Sequence, residues 1–168
     1  MIIRPEAPAD IPAIRAVTRA AFLDHPHSEQ TEHLIIERLR ERGKLALSLV
    51  AELHGEIVGH IAFSPVELSD GSPDWLGLGP LSVTPSRQGQ GIGAALIRKG
   101  LEMLKTRNAA GCVVMGEPDL YQKFGFRNDA KISYADCAPQ YFLAQALSLA
   151  DGSGMVTYDE AFYVNPDG

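Results

Sequence analysis

One stretch limits the folds open to this chain more than any other: a short apolar strand that leads through a glycine-rich turn into a long amphipathic helix. The strand ends near Thr84, and Gly89, Gly91 and Gly93 follow at alternate positions as the helix begins. Glycine adopts backbone angles closed to other residues and places no side chain between the backbone and a ligand. Together with the unpaired N–H groups of the first helical turn, such a turn predicts an anion cradle, most often for a phosphate or pyrophosphate.

Two other phosphate-binding motifs fit this stretch less well. Residues 89–94 also match G-x-G-x-x-[GA], the dinucleotide-binding fingerprint, and an acid, Glu117, follows the next apolar run. However, residues 85–88 separate the strand from the glycines, and the chain after Glu117 is short for the remaining βα units of that fold. No Gly-Lys-[Ser/Thr] follows, which excludes a P-loop. The remaining alternative is that the glycines only allow close packing.

Length and composition predict one globular domain over residues 1–168. No apolar run is long enough to cross a membrane, and residues 1–4 begin no signal-peptide pattern. We interpret Cys112 and Cys137 as free thiols, and expect a cytoplasmic protein without a membrane partner. The net charge of −6 argues against nucleic acid as a partner and mildly favours a cationic substrate such as an amine.

Hydrophobic periodicity predicts an alternation of helices and strands. Helices are expected over residues 10–22, with Asp10 as the cap, and over 28–42, 91–108 and 119–124. Strands are expected over residues 2–4, 47–53, 56–65, 75–84 and 111–115. The last two should be parallel, because a helix crosses between them. Residues 140–148 and 155–164 are expected to close the sheet, although the Leu and Ala content of the first also suits a helix.

Three histidines are candidates for chemistry and are better explained by structure. His25 and His27 lie in a polar loop with no Cys or acid at metal-ligand spacing, so we expect a solvated loop there. His60 lies within a strand, where a buried, hydrogen-bonded histidine is more common than a catalytic base. The sequence therefore predicts no metal site.

A second motif lies downstream, over the sequence Gly116-Glu-Pro-Asp-Leu-Tyr121-Gln-Lys-Phe-Gly125-Phe126. Together with Val83-Thr-Pro85 and Gln88-Gly-Gln-Gly91-Ile-Gly93, it resembles the GNAT superfamily of N-acetyltransferases. That family carries Q/R-x-x-G-x-G/A behind a V-x-P strand end, and a helix with Y-x-x-x-G-F. The resemblance spans residues 2–126 and is strongest to bacterial GNAT proteins with a G-[DE]-P…Y-x-x-F-G-F block.

The resemblance implies a fold and a cosubstrate. The fold is α+β in three layers: a mixed, mostly antiparallel central sheet with helices on both faces and a V-shaped notch between two parallel strands. The cosubstrate is acetyl-CoA, bound without a metal. In the family the loop amides bind the CoA pyrophosphate and the preceding strand hydrogen-bonds the pantetheine. Residue by residue, the pyrophosphate role falls to Gln88, Gly89, Gln90, Gly91, Ile92, Gly93 and Ala94, and the pantetheine role to Leu81 and Val83.

The resemblance also implies direct transfer of an acetyl group to a primary amine of a small molecule or peptide. Tyr121 matches the tyrosine that faces the CoA sulfur and is the expected acid, unless its ring only packs on the sheet. The chain departs from the family at the base, because Gly77 stands where some members carry a strand glutamate. Glu117 is the expected substitute and Glu67 another, with surface carboxylates and a water relay as alternatives.

The missing glutamate leaves a second function open, an acyl-CoA-binding module without turnover. The expected partners are acetyl-CoA and an amine acceptor. The acceptor loops, residues 23–31 and the carboxy-terminal strands, carry no specificity code that names the amine. Homodimers are common in the family, which leaves a homodimer open here as well.

Overall fold

The computed structural model describes residues 1–164, so the last four residues of the predicted domain, 165–168, lie outside the described part. The helices are α1 (Ile11–Phe22), α2 (Glu32–Glu41), α3 (Ile92–Thr106) and α4 (Pro118–Tyr121). The strands are β1 (Ile2–Pro5), β2 (Leu47–Leu53), β3 (Glu56–Leu68), β4 (Trp75–Val83), β5 (Gly111–Met115), β6 (Ile132–Ser133), β7 (Phe142–Ala146) and β8 (Gly154–Thr157).

The strands form a mixed sheet in the order β1-β2-β3-β4-β5-β7. All neighbours along this path are antiparallel except β4 and β5, which are parallel as predicted. Strand β8 pairs with the end of β3 and with β6. The predicted fold class, a mostly antiparallel mixed sheet between helices, is confirmed.

Helix α3 covers one face of the sheet, which we call the α3 face. Its side chains Leu96 and Ile97 are buried in one cluster with Ile61 and Phe63 of β3. Gly100 allows the close approach that a helix glycine predicts, because a Cβ there would lie 2.4 Å from the Phe63 ring.

Helices α1 and α2 cover the opposite face, which we call the α1 face. Ile14 and Ile36 pack there on Val50 and Ala62. Because side chains alternate along a strand, His60 and Ser64 point to the same face as Ala62. The carboxy-terminal segment continues this layer, with Tyr158 buried against Trp75 and Val113.

Two of the predicted helix starts differ from the structure. Helix α2 begins at Glu32 and not at residue 28, because the Ser28 hydroxyl accepts from Gln30 N at 2.9 Å and donates to Glu32 at 2.7 Å in a turn before the helix. Asp10 precedes α1 but makes no side-chain cap. Its carboxylate instead accepts from Ala7 N at 2.7 Å and from the Arg4 guanidinium.

The closing strands are shorter than predicted. Residues 140–148 contain strand β7, so the helical alternative is wrong. Residues 155–164 contain β8 only as far as Thr157, and a 3₁₀ turn over Glu160–Tyr163 follows. Asp159 caps that turn, accepting from Ala161 N at 3.0 Å, and also binds Arg42 at 2.8 Å. This end of the chain is therefore fastened to the end of α2.

Both cysteines are free thiols as predicted, with Cys112 buried. Among residues 1–164, the structure contains no helix that is both long and apolar enough to cross a bilayer.

Candidate active site

The predicted notch lies between β4 and β5. The two strands pair only from Trp75 opposite Gly111 to Gly77 opposite Val113. Beyond Gly77, β4 continues to Val83 without β5 beside it. The register between β3 and β4 shifts in this stretch, with Ile61 opposite Leu81 but Phe63 opposite Leu78. This bulge gives β4 one extra residue, and bulges bend the strand that carries them.

The open edge of β4 presents the backbone groups of Leu81 and Val83. Thr84 N donates to Val58 O of β3 at 2.8 Å. Because successive residues of a strand direct their N–H and C=O groups to opposite edges, Leu81 and Val83 direct theirs away from β3, into the notch. These are the two residues predicted to bind pantetheine like a neighbouring strand.

The glycine-rich loop lies directly after this edge. Gly89 and Gly91 have φ values of +79° and +84°, which other residues rarely adopt, and an added Cβ at either would meet nothing within 4 Å. Gly93 differs: a Cβ there would make ordinary contacts with Val83 at 3.8 Å and Leu81 at 4.0 Å. Gly91 is the residue before α3, and the loop is open to ligands on its outer side.

The amides of the glycine-rich loop make no hydrogen bond within the described part of the chain. Among the described residues, the N–H groups from Gly89 to Ala94 have no hydrogen-bond acceptor, and the first helical bond runs from Ala95 N to Gly91 O at 3.0 Å. A run of such donors at the positive end of a helix attracts phosphate oxygens. The N–H groups from Gly89 to Ala94 are free to donate, and their role in binding pyrophosphate stays a prediction.

Gln88 has a different local role. Its side-chain amide donates to Val83 O at 3.1 Å, and its own N–H points to Pro85 O at 3.4 Å. Both contacts hold the loop against the end of β4. A contact from Gln88 to the cosubstrate stays a prediction.

Tyr121 lies on the α3 face, at the end of α4. A Cβ on Gly116 would lie 2.4 Å from its ring, so the glycine is what lets the ring approach the end of β5. The ring also packs edge to face on Phe126, with 6.0 Å between the ring centroids. Only 8% of Tyr121 is exposed. Within residues 1–164, no side-chain hydrogen bond reaches the Tyr121 hydroxyl. Burial raises the pKa of this phenol, so it is protonated at neutral pH.

The two predicted bases are placed differently. Glu117 follows β5 and precedes α4; its side chain is exposed, and its carbonyl accepts from Leu120 N at 3.0 Å and from Tyr121 N at 3.2 Å. Glu67 pairs with Thr157 of β8, beyond Trp75, at the end of β4 where the strands are closed. Glu117 thus lies directly before the helix that carries Tyr121, whereas Glu67 lies away from the notch.

Sequence reasoning missed the group that occupies the place of the absent strand glutamate. A Cβ on Gly77 would lie 2.7 Å from Cε1 of Tyr158, and 3.2 Å from Val66. Tyr158 is 5% exposed. Tyr158 directly follows β8, about 80 residues after Gly77 in the chain and outside both motifs. The sequence therefore gave no sign that it would contact Gly77.

Other polar groups are buried on the same α1 face of β3 and β4. His60 is fully buried: its Nε2 lies 2.7 Å from Ser48 Oγ, whereas Nδ1 has no partner in the described part of the chain. The prediction of a buried histidine is confirmed, but only one of its nitrogens is hydrogen-bonded. Ser64 and Ser82 are also buried, each with an unpartnered hydroxyl over residues 1–164.

The loop that carries His25 and His27 is exposed. In the described structure, the only hydrogen bond to an imidazole of this loop runs from His27 N to His25 Nδ1 at 3.3 Å. No three His, Cys, Asp or Glu side chains within residues 1–164 are placed to hold a metal ion together.

The resemblance implied a notch with an open strand edge, a glycine-rich loop before a helix, and a tyrosine on a short helix after β5, and the structure contains all three. The acetyltransferase (GNAT) family matches residues 12–126 of the chain. This chain belongs to the GNAT family. It is therefore an acyltransferase, as predicted.

Relatives support the GNAT assignment over the whole length. The chain is 34% identical to the uncharacterized N-acetyltransferase YhbS of Escherichia coli K12, over 96% of this chain and 98% of that protein. The crystal structure of E. coli YhbS in complex with CoA superposes with a TM-score of 0.88, covering 97% of this chain and 92% of the other. A GNAT family acetyltransferase from Brucella melitensis, solved with acetyl-CoA, is 45% identical, with a TM-score of 0.85 and 96% and 97% coverage.

Proposed function

We propose that this GNAT protein transfers the acetyl group of acetyl-CoA to a primary amine of a small molecule or peptide by direct attack. The observation that carries the proposal is the continuity of the open β4 edge at Leu81 and Val83 with the free amides from Gly89 to Ala94. Acetyl-CoA has a pyrophosphate and a pantetheine arm in the same order. The Brucella relative, 45% identical, is described in complex with acetyl-CoA, which supports the same cosubstrate here.

The cosubstrate would lie on the α3 face. Its pyrophosphate accepts from the loop amides, and its pantetheine pairs with the backbone of Leu81 and Val83 like an added strand. The open loop exterior at Gly89 and Gly91 leaves room for the phosphates. The thioester then reaches the notch beside Tyr121.

The chemistry requires a neutral amine, a polarised carbonyl and a proton for the leaving thiolate. The amine nitrogen attacks the thioester carbonyl, and a backbone N–H of the open β4 edge hydrogen-bonds the oxyanion. As the carbon–sulfur bond breaks, the Tyr121 phenol donates to the thiolate. Its raised pKa suits a donor, since the phenol keeps its proton at neutral pH. Glu117, exposed beside α4, takes the amine proton directly or through water.

The acceptor would arrive from the α1 face, because the cosubstrate fills the α3 side of the notch. The net charge of −6 favours a cationic acceptor at a distance. Residues 23–31 and the carboxy-terminal segment border this side.

A thiol-release assay tests the proposal. Wild-type protein with acetyl-CoA is offered a panel of primary amines: polyamines, amino sugars, amino acids and short peptides with free amino termini. Amine-dependent release of CoA, with one acetyl group found on the amine by mass spectrometry, is the expected result. Binding of acetyl-CoA without release on any amine would instead favour the acyl-CoA-binding module, which the Gly77 departure keeps as the second candidate.

A further inference from the structure

Gly77 marks the point where β4 and β5 part, and an aromatic ring covers it on the α1 face. Gly77 is the last β4 residue paired with β5. A Cβ there would lie 2.7 Å from Tyr158 Cε1 and 3.4 Å from Cδ1. The Cδ1–Cε1 edge of the ring is therefore the part that lies against Gly77. A side chain at residue 77 has no room, because the Tyr158 ring occupies its place.

The ring brings a buried hydroxyl that the protein leaves without a partner. Tyr158 is 5% exposed, and its oxygen has no hydrogen-bond partner within residues 1–164. Ser64, directly opposite Gly77 on β3, is also fully buried, and its hydroxyl has no hydrogen-bond partner within residues 1–164. Residues opposite each other in a sheet share a face, so both hydroxyls belong to the α1 side of Gly77.

Packing alone does not account for this hydroxyl. The ring contacts Tyr134 at 5.0 Å and Phe162 at 4.9 Å between centroids, which a phenylalanine would satisfy equally well. Buried phenol oxygens are normally hydrogen-bonded, and one left alone costs free energy. Two such oxygens lie on the α1 face beside Gly77, where β4 and β5 part, and no hydrogen bond of the described fold uses either of them.

We propose that Tyr158 is the acceptor-binding residue of this enzyme, whose hydroxyl, with that of Ser64, hydrogen-bonds the incoming amine where other GNAT members place a strand carboxylate. The inference rests on the proposed amine acetylation. The Tyr158 oxygen accepts from an amine N–H, so the nitrogen lone pair stays free to face the thioester carbonyl. A phenol carries no charge, so this subsite holds the neutral amine and offers no ion pair to an ammonium group.

Kinetics of Tyr158→Phe test the inference, because the change removes only the hydroxyl. With the best amine of the panel, we expect kcat/KM for the amine to fall about tenfold or more, mostly through KM. The dissociation constant of acetyl-CoA should stay within about twofold of wild type, since the cosubstrate lies on the other face. Tm should be unchanged or higher, because an unpaired buried hydroxyl is lost.

Tyr134→Phe is the matched control. Its hydroxyl belongs to the same aromatic cluster but is already bonded to the Tyr163 hydroxyl at 2.9 Å, so amine kinetics should not change. Ser64→Ala is the second variant, expected to raise the amine KM in the same direction. Its effect should be less than additive with Tyr158→Phe, because both hydroxyls bind one amine.

The outcomes separate the two proposals. Wild-type thiol release reports on the proposed function, whereas the ratio of variant to wild type reports on Tyr158. Unchanged amine KM and kcat in Tyr158→Phe overturn the inference. So does a Tm fall of more than about 3 °C, measured without any substrate, because the hydroxyl would then have a structural partner.

Discussion

Nε2 of His60 lies 2.7 Å from the hydroxyl oxygen of Ser48, in the fully buried layer beneath α1. The Ser48 hydroxyl also contacts the Glu6 carboxylate, which binds the Arg40 guanidinium at 2.9 and 3.0 Å. Burial opposes ionisation of Glu6, but the hydrogen bonds from Arg40 and Ser48 outweigh it and lower its pKa. An ionised Glu6 only accepts, so Ser48 donates to it and His60 Nε2–H donates to Ser48. Nδ1 of His60 is then the unprotonated nitrogen.

This arrangement predicts how stability depends on pH. Burial lowers the pKa of His60 from 6.5 to about 4. Between those values the unfolded chain binds a proton that the folded chain excludes. The contribution of neutral His60 to the free energy of unfolding is therefore complete above pH 6.5. It is lost as pH falls toward 4, at up to about 1.4 kcal/mol per pH unit. The lowered pKa of Glu6 acts in the same direction. Urea unfolding at steps from pH 7 to 4.5 measures the slope.

His60→Gln keeps a side-chain N–H for Ser48 and removes the titration, so its slope should be flatter by the His60 share. His25→Gln, in the exposed loop, is the control and should keep the wild-type slope. Equal slopes for wild type and His60→Gln would show that folding does not lower the pKa of His60.

Substitutions of Gly93 and Gly91 test whether the glycine-rich loop binds the pyrophosphate of acetyl-CoA. Gly93 has room for a Cβ at ordinary contact distance, so Gly93→Val should fold, while its methyl groups crowd the approach to Leu81 and Val83. Acetyl-CoA affinity should fall tenfold or more, about 1.4 kcal/mol. Gly91→Val should weaken binding similarly and also lower stability, because residue 91 has φ +84°. Calorimetric titration with acetyl-CoA measures both.

Gly43→Ala controls for the backbone strain alone. Gly43 has φ +69° with nothing near a Cβ, and it lies after α2 away from the loop. Gly43→Ala should lower the free energy of unfolding and leave acetyl-CoA affinity unchanged. A folded Gly93→Val protein with wild-type affinity would exclude the loop as the pyrophosphate site.

Tyr121→Phe separates the two roles of that ring. Phenylalanine keeps the contacts with Gly116 and Phe126, so folding and acetyl-CoA affinity should stay near wild type. Loss of the donor should lower kcat about 100-fold or more. Steady-state kinetics on the identified amine measure this, with the exposed Tyr141→Phe as the control. Full kcat would show that Tyr121 only packs, and a parallel loss of stability and binding would show the same.

Arg42 fastens the segment that carries Tyr158. Its guanidinium binds Asp159, the residue after Tyr158, at 2.8 and 3.2 Å. Arg42→Ala should speed hydrogen exchange of the amides in residues 154–163 and raise the amine KM, with acetyl-CoA affinity unchanged. Arg38→Ala, one turn earlier on α2, is the control. Unchanged exchange in the Arg42 variant would mean that β8 pairing alone holds Tyr158.

The strand–loop–helix unit of β4 and α3 could be predicted because its parts are adjacent in sequence. The strand edge at Leu81 and Val83, the glycines and the helix start form one continuous stretch, so residue types and spacing specify local backbone geometry. The same holds for the parallel pairing of β4 and β5, which the crossing helix requires. The motif that ends in Gly125 and Phe126 likewise predicted a short helix at Tyr121. In the structure, α4 and the 3₁₀ turn after it end at Gly125, which has φ +97°.

The polar contacts on the α1 face could not be predicted, because their parts come from distant segments. Glu6, Arg40, Ser48 and His60 meet only when β1, α2, β2 and β3 pack together. No spacing rule relates Tyr158 to Gly77, since contact between them depends on how β8 returns to the end of β3. Sequence alone determined the family and the strand–loop–helix unit, through motifs and local backbone preferences. Only the tertiary structure decided what fills the place of the missing glutamate, because long-range packing brings that ring to β4.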